Sequence, residues 1–174
     1  MPWGDEWCTR QRDKTLEFAC DTVLPNATDA WYRAIDVAAP SSTTFRWICQ
    51  LRVAPYSYDW IDNRGRTSPR SLTPDVDVLA PGQTVMSVFD LVSFEPGAQL
   101  TMQLKRTNVF PPIAITYLVV PDGGDASRIV VKVLVRYGGL RGALLRPWLA
   151  RADLFMMKKQ LRTLRDLAEE HPKP

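Results

Sequence analysis

The sequence contains little histidine and cysteine, which argues against several kinds of catalytic site. The chain of 174 residues has one histidine, His171, close to the C-terminus. A Ser-His-Asp or Cys-His centre needs a positioned imidazole, which this residue is badly placed to supply. Cys8, Cys20 and Cys49 have no Cys-x-x-Cys spacing, so the ligands of a zinc site are missing and the thiols are expected to be reduced. We therefore expect no such catalytic residues, no metal and no cofactor.

Long apolar runs and phosphate-binding loops are also missing. No stretch reaches the ~18 apolar residues of a membrane span, since the longest candidate, 111–121, is short and bounded by prolines. The start, MPWGDEWCTR, lacks the apolar core of a signal peptide, so a cytoplasmic protein is expected. Neither G-x-G-x-x-G nor G-x-x-x-x-G-K-[ST] occurs. A net charge of +3 is too small to indicate a nucleic-acid partner.

The alternation of apolar and polar residues predicts a mostly antiparallel sheet. The segment 31–37 alternates, with Arg33 on the same side as Trp31, Ile35 and Val37. Four further strands are predicted at 83–94, 98–106, 113–120 and 127–137, separated by short turns typical of hairpins.

Two helices are predicted beside these strands. A short helix is expected within 39–51, and a long one from about Pro147 to Glu170. An apolar stripe identifies the long helix; its members are Leu154, Met157, Leu161, Leu164 and Ala168. A curved antiparallel sheet is the partner available to so long a helix. We therefore predict one α+β domain at 31–174, preceded by an irregular lead-in at 1–30.

The order of these segments resembles the START-like, or SRPBCC, superfamily of helix-grip proteins, most nearly a bacterial branch of SRPBCC proteins. The matching stretches are RAIDVAAPSSTTFRWICQL (33–51), YSYDWIDN (56–63), SLTPDVDVLAPGQTV (71–85), SRIVVKVLVRY (127–137) and DLFMMKKQLRTLRDLAEEH (153–171). The resemblance implies a curved antiparallel sheet wrapped around the C-terminal helix, with a cavity for an apolar molecule between them. In the superfamily such cavities commonly hold lipids, sterols, polyketides or other apolar compounds.

One segment departs from the branch. Before the aromatic motif the branch usually has a glycine-rich turn, whereas this chain has RVAP at 52–55. Because this turn is stiffer, the resemblance does not determine the shape of the cavity mouth.

Several aromatic and sulfur-containing residues are the candidate ligand contacts. Tyr56, Tyr58 and Trp60 lie within five positions, and their rings either fill the core or line the cavity, where the tyrosine hydroxyls would orient a ligand. The remaining candidates are Trp47, Met102, Tyr117 and Met157.

Three functions remain open at this stage. The first is binding of a small apolar ligand, and the second is a cyclase or aromatase reaction in the same cavity. For a reaction, Tyr58, Asp59, Tyr117 and Arg128 are available, although no spacing rule selects them and Arg128 is expected on the outer face. Asp59 and Asp62 are more typical of turn caps than of a catalytic pair. The third is a protein-interaction module with a filled core.

A basic run on the long helix suggests a partner surface. It contains Lys158, Lys159, Arg162 and Arg165, which either form a solvated face or contact an anionic membrane surface transiently. A monomer and a homodimer are both compatible with the sequence.

Overall fold

A seven-stranded sheet and one long helix make up most of the structure, a computed structural model that describes residues 5–58, 60, 65–106 and 109–170. The strands are β1 (Glu6–Trp7), β2 (Asp29–Val37), β3 (Thr84–Val85), β4 (Phe89–Glu95), β5 (Gln99–Leu104), β6 (Ile113–Pro121) and β7 (Ser127–Val135). The α-helices are α1 (Cys20–Val23), α2 (Ser41–Cys49) and α3 (Gly139–Glu170), with short 3-10 helices at Gln11–Thr15 and Gln50–Arg52.

The sheet has the order β1-β2-β7-β6-β5-β4-β3 and is curved but not closed. Strand β1 pairs parallel with β2, and all other neighbours pair antiparallel. The predicted strands on β2, β5, β6 and β7 agree with the structure to within a few residues. The predicted strand 83–94 is divided into β3 and β4, because Met86 and Ser87 turn the chain with positive φ angles of 47° and 65°.

The inner face of the sheet carries the main core. Along β7, Ile129, Val131, Val133 and Val135 point inward and are buried, as the alternation predicted. They join a cluster with the buried residues of α2 and the stripe of α3, which includes Leu161 and Leu164. Helix α3 therefore lies in the concave face of the sheet.

The long helix begins earlier than the sequence indicated. It starts at Gly139, so Pro147 lies inside the helix and not in its first turn. A proline has no backbone N–H, so it is best tolerated in the first turn of a helix, where that group has no helical partner. Pro147 was therefore a reasonable signal for the start of the helix, but an incorrect one.

The segment before β2 packs against the outer face of the sheet. Phe18, Cys20 and Leu24 form a second apolar cluster with Val130 and Leu134 of β7 and with neighbouring alanines. The backbone N–H of Cys20 donates to Thr116 Oγ1 at 2.9 Å. Residues 6–24 thus contain short elements that cover a second face of the sheet.

Candidate ligand-binding site

A small cavity lies between the inner face of the sheet and α3. Its volume is about 130 Å³, and its wall is formed by Pro55, Ser57, Met86, Phe89, Ile115, Tyr117, Asp153, Met156, Met157 and Gln160. Most of these side chains are apolar. The cavity therefore combines an apolar surface with a few polar groups, as small-molecule sites commonly do.

Gln160 connects three segments around this cavity. Its Oε1 accepts a hydrogen bond of 2.5 Å from the hydroxyl of Tyr117. Its Nε2 donates to the carbonyl oxygen of Pro55 at 2.6 Å and contacts the sulfur of Met86 at 3.3 Å. One buried amide on α3 thereby fixes β6, the 55–57 segment and the β3–β4 turn relative to the helix.

Asp153 forms a second polar connection, from α3 to β2. Its Oδ2 accepts a hydrogen bond of 2.9 Å from Nη2 of Arg33, whose side chain is fully buried. Nη1 of Arg33 donates to the carbonyl oxygens of Asp5 and Tyr32. The Asp153 side chain is 18% exposed, so its carboxyl group is largely withdrawn from water at the cavity wall.

The surroundings of these groups shift their pKa values. Burial raises the pKa of Asp153 to about 6, although the charge and hydrogen bond of Arg33 oppose the shift. Burial, with the nearby charge of Asp153, also raises the pKa of Tyr117 far above its ordinary value. Tyr117 is therefore neutral at physiological pH, whereas Asp153 changes protonation around pH 6.

Three residues around the cavity have a left-handed backbone conformation, which residues other than glycine rarely adopt. They are Tyr56 (φ 55°), Met86 (φ 47°) and Ser87 (φ 65°). Tyr56 lies between Pro55 and Ser57, and Met86 is itself in the wall. Such conformations cost about 1–3 kcal/mol each and are held by the surrounding structure, and they are common beside binding sites.

The structure brings two of the candidate ligand contacts, Tyr117 and Met157, to the cavity wall. Met102 and Trp47 are buried in the main core and are not among the wall residues. Tyr56 is also buried, packs edge-on against Trp47 and donates its hydroxyl to the carbonyl oxygen of Pro69 at 2.8 Å. Its hydroxyl thus holds a loop.

The remaining aromatic candidates lie towards the surface. The ring of Tyr58 stacks on Phe155 of α3, with 4.6 Å between centroids. Trp60 is 76% exposed. Asp59 and Asp62 lie outside the described residues, so their predicted capping role stays a prediction. Arg128 is on the outer face, as expected, but is buried there by the N-terminal segment.

The basic run on α3 is partly engaged within the protein. Lys158 and Arg162 lie over the ring of Trp7, at 5.8 and 5.6 Å from its centroid. Arg165 pairs with the neighbouring Asp166 at 2.7 Å. Lys159 is exposed.

Sequence reasoning missed Asp153, Gln160 and Arg33 as site residues, although signals for them existed. Asp153, Met157, Gln160 and Leu164 follow a 4-3-4 spacing, so two polar residues interrupt the inward-facing stripe of the helix. Arg33 is a charged residue among apolar neighbours on the inner side of β2. A polar residue on an apolar face needs a partner. Asp153 and Arg33 pair with each other, and Gln160 pairs with the Tyr117 hydroxyl and the Pro55 carbonyl.

Other concave regions differ in character. A region of about 400 Å³ lies at the strand ends on the outer face and includes Asp90, Lys105, Arg106 and Arg136. A region of about 180 Å³ next to the cavity is lined by Tyr56, Ser57, Thr67, Ser68, Arg70, Lys159, Thr163 and Leu167. Neither combines the concave sheet face with the helix, so the 130 Å³ cavity is the candidate site.

Comparisons with known proteins identify the fold. No protein-family model and no curated protein matches the sequence. Solved structures do match. An NMR structure of a protein from Thermobifida fusca is 13% identical, with a TM-score of 0.56 over 83% of this chain and 97% of that one. The Zhui aromatase/cyclase from Streptomyces sp. R1128 is 14% identical, with a TM-score of 0.53 over 83% and 95%.

Norcoclaurine synthase from Thalictrum flavum, solved with dopamine and hydroxybenzaldehyde, is 14% identical, with a TM-score of 0.51 over 92% of this chain and 96% of that one. Likenesses at these identities show the fold. The protein therefore shares the fold of these structures, an α+β helix-grip architecture in which a curved, mostly antiparallel sheet wraps around a long C-terminal helix, as predicted. Among the described residues, no helix is long and apolar enough to cross a membrane.

Proposed function

We propose that the protein binds a small apolar molecule, about the size of one aromatic ring, between the sheet and α3. The observation that carries this proposal is the cavity of about 130 Å³, with its methionine, isoleucine and phenylalanine wall. Met86, Met156 and Met157 give that wall three flexible side chains that can adjust to a ligand. Binding would be driven by removal of the ligand's apolar surface from water.

The volume limits the ligand more narrowly than the fold does. Sites for drug-sized molecules occupy about 300–1,000 Å³, whereas a dry cavity of about 150 Å³ holds one benzene molecule. At about 130 Å³, the cavity is matched to a single ring. A sterol, a multi-ring polyketide or a long-chain lipid would require α3 or the β3–β4 turn to move.

A protein of the same fold supports a single-ring ligand. Norcoclaurine synthase was solved with dopamine and hydroxybenzaldehyde, each of which contains one aromatic ring. The helix-grip architecture can therefore hold molecules of this size.

The test uses toluene as the probe and compares two substitutions at one wall residue. Wild-type protein and Ile115→Val should bind toluene and be stabilised by it, because a bound ligand favours the folded state. Ile115→Phe should lose the effect, because the larger side chain fills the cavity. Binding is measured by ligand-observed NMR and by the shift in Tm.

Native mass spectrometry of the purified protein complements this test by revealing any ring-sized compound retained from the host. An absence of toluene binding, together with a clean apo mass, would refute the proposal. Equal toluene binding by the wild type and a folded Ile115→Phe variant would show that toluene does not bind in this cavity.

We also propose that α3 contacts an anionic membrane surface transiently. Leu144, Trp148 and Phe155 are exposed and lie on one side of the helix, at spacings of four and seven residues. Between 144 and 165 the helix has six basic residues and one acidic residue, Asp153. An apolar helix face accompanied by basic side chains suits an anionic lipid interface.

A further inference from the structure

One oxygen of the Asp153 carboxyl group has no protein partner among the described residues. Arg33 donates to Oδ2 at 2.9 Å, and no described group donates to Oδ1. A carboxylate has about four lone-pair positions, so this oxygen retains its capacity to accept hydrogen bonds. Because Asp153 belongs to the cavity wall, that capacity is available to a ligand.

We infer that the ligand carries a hydrogen-bond donor, such as a phenolic hydroxyl group, and that Oδ1 of Asp153 accepts it. This inference rests on the proposed function and specifies its ligand class. The ring would lie against the methionine and isoleucine side chains, with its hydroxyl directed at α3. Arg33 would hold the carboxylate in position from the opposite side.

The neighbouring polar groups favour a donor over an acceptor. The hydroxyl proton of Tyr117 is directed to Gln160 Oε1, at 2.5 Å. The amide nitrogen of Gln160 is directed to the Pro55 carbonyl and the Met86 sulfur. These two donors already have acceptors within the protein, whereas Asp153 still has an acceptor to offer.

The protonation of Asp153 should make this recognition dependent on pH. The charged or titratable groups around it are Arg33 from β2, Tyr117 from β6 and Tyr137 after β7, with Asp5 close to Arg33. Neither tyrosine is ionised near neutral pH, because both have raised pKa values. The pKa of Asp153 is about 6, so its carboxylate predominates above that pH. A donor ligand should bind the carboxylate more strongly than the carboxylic acid.

The experiment compares phenol with toluene, which replaces the hydroxyl by a methyl group of similar size. Dissociation constants are measured by NMR titration at pH 8 and pH 5. At pH 8 phenol should bind about tenfold more tightly than toluene, as expected for a hydrogen bond to a charged group. At pH 5 this ratio should fall several-fold. Anisole, which has the oxygen but no donor, should not show the preference.

Two variants locate the effect. Asp153→Asn should lower the phenol-to-toluene preference at pH 8 and remove its dependence on pH. Arg151→Gln, two residues away on the exposed side of α3, should retain both. If Asp153→Asn does not fold, the pH dependence and the anisole comparison in the wild type decide the question.

The outcomes separate the inference from the proposed function. Toluene binding without a phenol preference would overturn the donor inference and leave the apolar site intact. A preference that is the same at both pH values would remove Asp153 as the acceptor. Failure of both ligands to bind would overturn the proposed function and this inference with it.

Discussion

Arg128 shows how a charged residue can be buried on the outer face of a sheet. Its side chain is 3% exposed because the N-terminal segment covers it. Its Nε and Nη2 donate to both carboxylate oxygens of Asp13, with the shortest distance at 2.7 Å, and Nη1 donates to Asp36. The pair joins β7 to the 3-10 turn at Gln11–Thr15.

Replacing Asp13 tests the contribution of this pair. Asp13→Asn should reduce the free energy of unfolding by about 3 kcal/mol at pH 7, because it removes the buried one of the two carboxylates that pair with the Arg128 guanidinium and leaves the exposed Asp36. Asp122→Asn is the control, since its pairs with Arg10 and Arg12 are exposed and should contribute under ~1 kcal/mol. Urea unfolding measures both. Equal effects would show that burial does not strengthen the Asp13 pair.

The same pair gives a defined pH dependence. Burial alone would raise the pKa of Asp13, but hydrogen bonds from Arg128 and the Arg10 backbone, with the charge of Arg128, lower it on balance. A lowered pKa in the folded state means that this stabilisation is present above the unfolded pKa of ~4 and is lost as the pH falls through the folded value. Asp13→Asn should therefore lose less stability on acidification than the wild type.

At the scale of elements, α3 depends on a glycine near its start. A Cβ added at Gly142 would lie 2.8 Å from Tyr137 Cβ and 3.3 Å from Tyr137 Cα. The absent side chain therefore allows the first turns of the helix to pack directly on the chain that leaves β7.

Gly142→Ala is expected to destabilise the protein although it improves helix propensity. Alanine would favour the helix by about 1 kcal/mol, but the clash involves the Tyr137 backbone and should cost about 1–3 kcal/mol. We expect a lower Tm, measured by circular dichroism. Gly124→Ala is the control, because no atom lies within 4 Å of its added Cβ. A higher Tm for Gly142→Ala would show that this packing is loose.

At the scale of the whole molecule, the cavity between the sheet and α3 lies next to the exposed side of that helix. Asp153 and Met156 face the cavity, while Phe155 between them stacks with Tyr58 near the surface. The exposed face of the helix thus lies beside the candidate site. An apolar ligand entering from a membrane would have a short path to the cavity.

Membrane contact is tested by co-sedimentation with vesicles that contain about 30% anionic lipid, because basic side chains are attracted to the negative surface of such vesicles. Trp148, 70% exposed, is the residue to change. The wild type should sediment with these vesicles at low salt and less at high salt, because ions screen the basic side chains. Trp148→Gln should sediment several-fold less.

Val78→Gln is the matched control, because it replaces an exposed apolar residue outside α3. Equal loss in both variants would indicate unspecific adsorption. If the wild type sedimented equally well with purely neutral vesicles, whatever the salt concentration, the basic residues would have no role in membrane contact.

The sequence was sufficient for most of the long strands and for the buried side of α3 because these signals are local and repeated. Alternation along β7 fixed which of its residues face the core, and the stripe containing Met157, Leu161 and Leu164 fixed the buried side of α3. The resemblance of these ordered segments to helix-grip proteins then implied the architecture. The start of α3 at Gly139 was not recoverable, since Pro147 is also typical of a first turn.

The candidate site was less accessible from sequence because it depends on distances between segments remote in the chain. Tyr117 and Met157 lie in the wall of the cavity, and their predicted role in binding a ligand stays a prediction. Gln160 hydrogen-bonds to Pro55 and Asp153 pairs with Arg33, and in each pair the two residues lie more than 100 positions apart in the chain. Periodicity identifies the face on which a residue lies, but it does not identify the residue across the core.

By itself, the sequence determined the alternation of the strands, the amphipathic helix and the lack of an internal histidine. Only the tertiary structure decided that an apolar space remained, that it was the size of one ring, and that a carboxylate bordered it. The physical reason is that volume and solvation are properties of packed surfaces. The pKa of Asp153 and the room for a ligand are both set by how β2, β6 and α3 come together, which no local pattern encodes.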